Sequence, residues 1–118
     1  MIRFYGLKNC DTCRKALKFA KTQGLEHSFH DLRAEGLDAQ LLDCWLSVLG
    51  WEKVLNRKST TWRGLSEGDS KELDQDKARG LLLSNPTLVK RPVIECANEV
   101  LIGFTKAEEE RLSHIARQ

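Results

Sequence analysis

Two cysteines separated by two residues, Cys10 and Cys13, are the side chains of this chain best suited to covalent chemistry. They lie between a short apolar segment, residues 2–6, and a segment whose apolar residues recur at helical spacing. A thiol at a helix N-terminus faces free backbone N–H groups and the positive end of the helix dipole. Cys10 is therefore predicted to be a nucleophile with a pKa below the free value of about 8.5. Cys13 is a second thiol that can attack the resulting mixed disulfide.

The same cysteines, together with His27 and His30, imitate the spacing of a two-cysteine, two-histidine zinc site. Such sites need both histidines on one face of a helix, with three to five residues between them. Only two residues separate His27 from His30, and the segment is typical of a strand, where residues three apart point to opposite faces. We therefore expect no metal site, with one histidine half-buried and the other on the surface.

Composition indicates a single domain of ordinary globular character. The chain has 118 residues, 41% of them hydrophobic and 31% charged. Its net charge of +2 is too small to indicate direct binding of nucleic acid. We recognise neither a signal segment nor an apolar run of membrane-spanning length, so a cytoplasmic protein without membrane contact is expected. In a reducing compartment, its four cysteines are catalytic, redox-sensing or buried rather than structural disulfides.

The elements that must position the cysteines follow from hydrophobic periodicity and from turn residues. The first third is predicted to be a strand over residues 2–6, a helix from Cys13 towards Gly24, and a strand over 27–32. The middle is predicted to hold a helix capped by Asp38, a short continuation to Leu55, a loop over 56–69, and a helix over 74–85. The last third is predicted to be a strand over 92–95, a turn at 97–99, a strand over 100–102, and a helix begun by a capping box at 105–108.

This order predicts an α/β protein with a thioredoxin-like fold. A crossover helix requires the first two strands to be parallel, and a short turn requires the last two to be antiparallel, which together give a mixed four-stranded sheet. Residues 1–118 are expected to form one domain, with a core of residues 1–33 and 87–118. Residues 34–86 are expected to be a mainly helical insertion between the two halves of that core.

The segment KNCDTCRKA, residues 8–16, resembles the active-site segment of the ArsC/Spx family. Six further segments resemble its YffB-like branch: FHD (29–31), LGWE (49–52), LNR (55–57), TTWR (60–63), KRP (90–92) and GF (103–104). The match spans nearly the whole chain, and the combination is much more specific than two cysteines alone. The resemblance implies the thioredoxin-like fold with a helical insertion that the order of elements also predicts.

The resemblance also implies roles for individual residues. Cys10 matches the catalytic cysteine of the family, and Arg57 and Arg91 match two arginines that arsenate reductases use around the oxyanion. Pro92 matches the cis-proline that thioredoxin-like folds place beside that cysteine. Asn9 and Arg14 belong to the matched active-site segment. With Arg57, Arg91 and Pro92 they are predicted to contact the substrate or glutathione.

Two departures decide among the activities of the family. Arsenate reductases of this kind have a third arginine shortly after the last strand, where this chain has Gly103 and Phe104. The oxyanion site would be incomplete, which predicts weak or absent arsenate reduction. Cys13 matches the CxxC redox switch of Spx, a regulator that binds RNA polymerase, although glutathione-dependent members do not need it.

We therefore predict a glutathione-dependent thiol–disulfide oxidoreductase of the ArsC family, with Cys10 and Cys13 as its reactive thiols. Glutathione is expected as a co-substrate rather than as a bound cofactor, and a small disulfide or oxyanion as the other substrate. Two alternatives remain: an arsenate reductase, and an Spx-like redox-sensing regulator with RNA polymerase as its partner. Cys44, Cys96 and the three tryptophans, Trp45, Trp51 and Trp62, are expected to be packing or incidental residues.

Overall fold

The computed structural model describes residues 1–65, 68 and 71–116. The chain divides into two compact units, of which the first joins Met1–Leu32 to Arg91–Gln118 and the second is Arg33–Lys90. The strands are β1 (Ile2–Gly6), β2 (His27–Asp31), β3 (Val93–Cys96) and β4 (Glu99–Ile102). The helices are α1 (Asp11–Thr22), α2 (Leu32–Glu35), α3 (Ala39–Leu49), α4 (Trp51–Val54), α5 (Thr60–Arg63), α6 (Gln75–Ser84) and α7 (Lys106–Ala116), with a 3-10 turn at Pro86–Leu88.

The four strands of the first unit form one mixed sheet in the order β2-β1-β3-β4. β1 pairs in parallel with β2, across the α1 crossover, and antiparallel with β3. β3 returns antiparallel as β4. The sheet therefore has the predicted thioredoxin-like pairing, and it brings the carboxyl end of β1 next to the start of α1.

The core of the first unit lies between α1, α7 and one face of the sheet. Its buried side chains alternate along β1 and recur at helical spacing along α1; they are Ile2, Phe4, Ala16, Ala20, Ile94 and Leu112. Alanines on α1 leave room for the phenylalanine rings of the sheet, so the helix lies close to β1. This close packing fixes the position of the α1 N-terminus, and hence of Cys10, relative to the ends of the strands.

The helices of the second unit begin at polar caps. The Asp38 carboxylate accepts the Leu41 backbone N–H at the start of α3, and the Asp74 carboxylate accepts the Lys77 N–H at the start of α6. Leu42 and Trp45 are fully buried on α3. The predicted helices after Asp38 and Asp74 are thus confirmed.

Two local predictions need correction. The predicted loop over 56–69 contains the one-turn helix α5, because the Ser59 hydroxyl accepts the Trp62 N–H and caps it; residues 66, 67 and 69 of that prediction lie outside the described part of the chain. At α7 the capping box is only half formed. The Glu108 carboxylate accepts the Thr105 N–H at 2.8 Å, but the Thr105 hydroxyl donates to the same carboxylate instead of accepting from the helix backbone.

No helix within the described residues is both long and apolar enough to cross a membrane.

Candidate active site

Cys10 is the N-cap residue of α1. Its backbone is extended (φ −119°, ψ 118°), and its carbonyl oxygen accepts the Arg14 N–H at 3.0 Å to begin the helix. Its Sγ stands at the mouth of the first turn of the helix. The free N–H groups of that turn and the helix dipole both favour a negative charge there.

The pKa of Cys10 is lowered by hydrogen bonds that outweigh its burial. Burial alone would raise the pKa, because a half-buried thiolate loses solvation. The backbone N–H and the thiol of Cys13 both donate to Sγ, and the Arg91 guanidinium adds a hydrogen bond and a positive charge. The combined effect favours the thiolate, as the sequence predicts for a cysteine at this position.

Cys13 lies one turn further along α1 and is the opposite kind of thiol. It is 1% exposed, and burial raises its pKa to about 12. A backbone hydrogen bond from Leu7 opposes this, while the neighbouring Cys10 raises the pKa further. Cys13 therefore stays protonated and donates its hydrogen bond while Cys10 ionises, so the two cysteines differ sharply in nucleophilicity.

The pair depends on a glycine at the end of β1. A Cβ on Gly6 would lie closer than 3.0 Å to Cys13 Sγ, a separation that real Cβ atoms essentially never show. Only a residue without a side chain allows the buried thiol to rest on the backbone of the strand. Sequence reasoning took Gly6 as the end of a strand and missed this contact, because the contact joins two elements.

Arg91 and Pro92 bring the positive charge to the site. The Arg91–Pro92 peptide bond is cis, as the family resemblance implies. Pro92 is fully buried, and its carbonyl oxygen accepts the Gly103 N–H at 2.8 Å, which ties the start of β3 to the end of β4. The Arg91 side chain is half-buried and donates to Cys10, so its charge acts on the thiolate where water screens it poorly.

Asn9 and Arg14 flank the nucleophile on the exposed side. Arg14 pairs with Asp11 at 3.3 Å, and its Nε donates to the Lys8 carbonyl oxygen at 3.2 Å. These contacts tie the first turn of α1 to the loop before it. The cation that lowers the pKa of Cys10 is Arg91, not one of these flanking basic residues.

Arg57 belongs to the second unit, where two indole rings hold it. Its guanidinium carbon lies 5.5 Å from the ring centre of Trp51 and 6.0 Å from that of Trp62. Both rings are half-buried and Arg57 is exposed. Packing was the expected role of the tryptophans; it holds for Trp45, which is fully buried, whereas Trp51 and Trp62 restrain a cation.

The other histidines and cysteines considered in the sequence analysis are His27, His30, Cys44 and Cys96. His27 and His30 are both half-buried, against the expectation that one is on the surface, because each ring packs on an aromatic side chain of β1. Cys44 is exposed, and Cys96 is half-buried with a pKa raised by burial. Within residues 1–65, 68 and 71–116, no group of three His, Cys, Asp or Glu side chains could hold a metal ion.

The sequence relatives cover nearly the whole chain. A model of the ArsC family matches residues 5–112. An uncharacterised protein of Haemophilus influenzae is 45% identical over 108 residues, which cover 92% of this chain and 95% of that protein. The regulatory protein MgsR of Bacillus subtilis is 26% identical over 114 residues, which cover 95% and 90%. The likeness therefore extends far beyond the cysteine motif.

Solved structures agree with the family match. A protein named YFFB (PA3664) superposes with a TM-score of 0.90 at 36% identity, covering 98% of both chains. An arsenate reductase (ArsC) related protein from Brucella melitensis gives a TM-score of 0.75 at 43% identity, covering 93% of this chain and 92% of that chain. These likenesses confirm the predicted fold and the resemblance to the ArsC/Spx family and its YffB-like branch.

Cys10 is expected to be the most reactive thiol of the chain. Alkylation with iodoacetamide between pH 5 and 10, followed by peptide mapping, should modify Cys10 first, with a midpoint below the free-thiol value of about 8.5. The exposed Cys44 provides an internal control, because accessibility alone would favour it. Faster labelling of Cys44 than of Cys10 at pH 6 would contradict the assignment.

Gly6→Ala is expected to destabilise the protein by about 1–3 kcal/mol, because the added methyl group overlaps Cys13 Sγ. Urea unfolding measures the free-energy difference. Gly80→Ala, in the interior of α6 with open space around its Cβ, is the matched control and should stabilise by about 0.5–1 kcal/mol. Equal unfolding free energies for wild type and Gly6→Ala would show that the contact is not constraining.

Proposed function

The chain belongs to the ArsC family, and we propose that within it the protein is a glutathione-dependent thiol–disulfide oxidoreductase. The observation that carries the proposal is the arrangement around Cys10, whose thiolate is stabilised by Cys13 and Arg91. Family membership supports a reductase-type enzyme; glutathione dependence is the finer part of the proposal. Thiol–disulfide exchange with glutathione needs a reducing compartment, so the proposal carries the cytoplasmic location with it.

The first step of the proposed reaction is attack on a disulfide of glutathione and a substrate thiol. Cys10 Sγ forms a bond to the glutathione sulfur, the original S–S bond breaks, and the substrate leaves as a thiolate. Negative charge moves from Cys10 to the leaving sulfur during this step. The Arg91 guanidinium lies beside Cys10 and can follow that charge, which lowers the barrier through electrostatics.

The second step releases Cys10. A glutathione thiolate attacks the glutathione sulfur of the mixed disulfide, which yields oxidised glutathione and restores the Cys10 thiolate. Over both steps the glutathione–substrate disulfide and one glutathione thiolate become the substrate thiolate and oxidised glutathione, so electrons balance. Cys13 can instead attack Cys10 Sγ and release glutathione, which gives an intramolecular Cys10–Cys13 disulfide.

Glutathione carries two carboxylates, and its binding calls for cations and amide donors. Arg91 is placed beside the nucleophile, and Asn9 and Arg14 are exposed next to it. Arg57 offers a guanidinium that two indoles restrain, so less side-chain entropy is lost when it binds a carboxylate. Contacts of glutathione with Asn9, Arg14, Arg57, Arg91 and Pro92 remain predictions.

A second candidate is a redox-sensing regulator that binds RNA polymerase without contacting nucleic acid directly. The observation that favours it is the hydrogen-bonded Cys10–Cys13 pair, together with the likeness to MgsR. Oxidation of this pair would remove the thiolate and its charge from the start of α1. If the protein is a regulator, we expect this oxidation to occur without catalytic turnover. If it is an enzyme, we expect turnover.

Turnover should require Cys10 and tolerate loss of Cys13. With hydroxyethyl disulfide and glutathione, coupled to glutathione reductase and NADPH, we expect Cys10→Ser to abolish activity, because its hydroxyl is not ionised. Cys13→Ser should keep activity, because glutathione resolves the mixed disulfide. Cys44→Ser is the matched control on an exposed thiol and should behave as wild type.

Loss of turnover in Cys13→Ser would instead show a dithiol mechanism and favour the switch. No turnover in wild type, with retention of the purified protein on immobilised RNA polymerase, would favour the regulator outright.

Arsenate reduction is expected to be weak or absent. A dianionic oxyanion in a partly desolvated site needs compensating charge, and the third arginine of the family's arsenate reductases is replaced by the Gly103–Phe104 region. The same coupled assay with arsenate in place of the disulfide measures this. Robust turnover that Arg57→Ala and Arg91→Ala each reduce sharply would overturn the expectation.

A further inference from the structure

A groove runs along the surface of the first unit between α1 and α7, and the proposed reaction leaves it without a role. Its larger part has a volume of about 390 Å³ and lies beside Glu109 of α7 and beside α1 residues between 15 and 23. A further depression of about 190 Å³ shares Phe19 and Gln23 with it and lies beside Ser113 of α7. Residue numbers rise in the same direction along both helices, so the groove follows the α1 axis.

The floor of the groove is aromatic. The ring centres of Phe19 and Phe104 lie 5.6 Å apart at an interplanar angle of 53°, and both side chains are half-buried. Phe104 belongs to the region where arsenate reductases of the family carry their third arginine, so this departure from them adds a ring to the surface. An apolar patch inside a polar rim is typical of surfaces that bind another protein.

The two walls of the groove carry opposite charge. α1 holds four basic residues against one acid, and the first five residues of α7 hold three glutamates against one lysine. Lys15 and Lys18 line the groove on the α1 side, and Glu109 lines it on the α7 side. Nowhere in the part of the chain that the structure describes does a salt bridge engage any of these three side chains. Their charges are therefore available to another molecule.

We propose that this groove binds the same groove of a second copy of the chain, about a two-fold axis parallel to α1. This rotation places the basic wall of each copy against the acidic wall of the other, so Lys15 and Lys18 face Glu109 twice. It also covers the Phe19–Phe104 floor of each copy with that of the other. An acidic partner of different sequence would match the α1 wall but would meet like charge at Glu109. A second copy matches both walls.

The size of the surface sets the strength of this contact. α1 has 12 residues and is therefore about 18 Å long, and two adjacent helices are about 20 Å wide. This face is smaller than a standard interface, which buries about 800 Å² on each partner. The dimer is accordingly weak and depends on protein concentration. Because the facing walls are charged and exposed, raising the ionic strength weakens it further.

The two-fold axis leaves the reactive cysteines of the two copies independent. Cys10 begins α1 and does not line the groove, so an axis parallel to α1 places both Cys10 residues at the same end of the dimer. Each copy keeps its own Cys13 and Arg91 beside its own Cys10. The inference therefore does not rest on the proposed function, and a monomer retains the whole candidate site.

Sedimentation equilibrium between about 10 μM and 1 mM measures the association. Reductant is present, so that the exposed Cys44 cannot link two chains. We expect the weight-average mass of wild type to rise from the 13.5 kDa of one chain towards twice that value. Two variants, Lys15→Glu/Lys18→Glu and Glu109→Lys/Glu110→Lys, each bring like charges together across the interface. Each should self-associate at least about tenfold more weakly than wild type, and all four positions are exposed, so both variants should fold.

The decisive sample is an equimolar mixture of these two variants. In the mixed dimer the new glutamates face the new lysines, and the original walls face each other, so association should return to within about threefold of wild type. Lys53→Glu/Lys58→Glu makes the same change of charge at exposed positions away from the groove and is the matched control. It should self-associate as wild type, and it should not rescue Glu109→Lys/Glu110→Lys, because its own α1 wall stays basic.

Three results would overturn the inference. They are a wild type that stays monomeric up to about 1 mM, wall variants that self-associate as wild type does, and a mixture of the two variants that associates no better than the control mixture. Retention of a monomeric wild type on immobilised polyglutamate, lost in Lys15→Glu/Lys18→Glu, would assign the groove to an acidic partner and overturn the second-copy assignment as well.

Discussion

The chemistry of this protein depends on one balance, the cost of half-burying a thiolate at Cys10 against the hydrogen bonds that support it. Cys13 donates twice, through its backbone and its thiol, and Arg91 donates once and adds charge. Different elements of the fold position these two residues. Cys13 comes from the first turn of α1, whereas Arg91 comes from the segment that enters β3 at a buried proline.

That balance also explains why two cysteines three positions apart are not equivalent. The helix start presents Cys10 to solvent and to cations, while the helical turn carries Cys13 inward against Gly6. Burial keeps Cys13 protonated, and a protonated thiol is what stabilises a neighbouring thiolate. Reductases and redox regulators can share this arrangement, because a stabilised thiolate serves both turnover and sensing. The fold alone does not decide between them.

The sequence predicts the parts of the site that are local in the chain. The helix that begins at Cys10, the parallel β1–β2 pair and the cap at Asp38 follow from periodicity and turn residues that lie within a few positions. Contacts across elements were not predictable in this way. The contact between Gly6 and Cys13 depends on which face of β1 the glycine lies on. Tertiary packing decides that Arg91, rather than Arg14, lowers the pKa of Cys10. Secondary-structure propensity does not encode either contact, although the family resemblance identified Arg91 as a site residue.

The missing side chain at Gly6 has a consequence for how this family can diverge. Backbone and thiol share one space, so positions 6 and 13 are not free to vary independently. A lineage that replaces the second cysteine with alanine vacates that space and gains the freedom to place a small side chain at position 6. A lineage that keeps the cysteine must keep the glycine. Positions 6 and 13 should therefore covary, and a glycine at position 6 should accompany retention of the second cysteine.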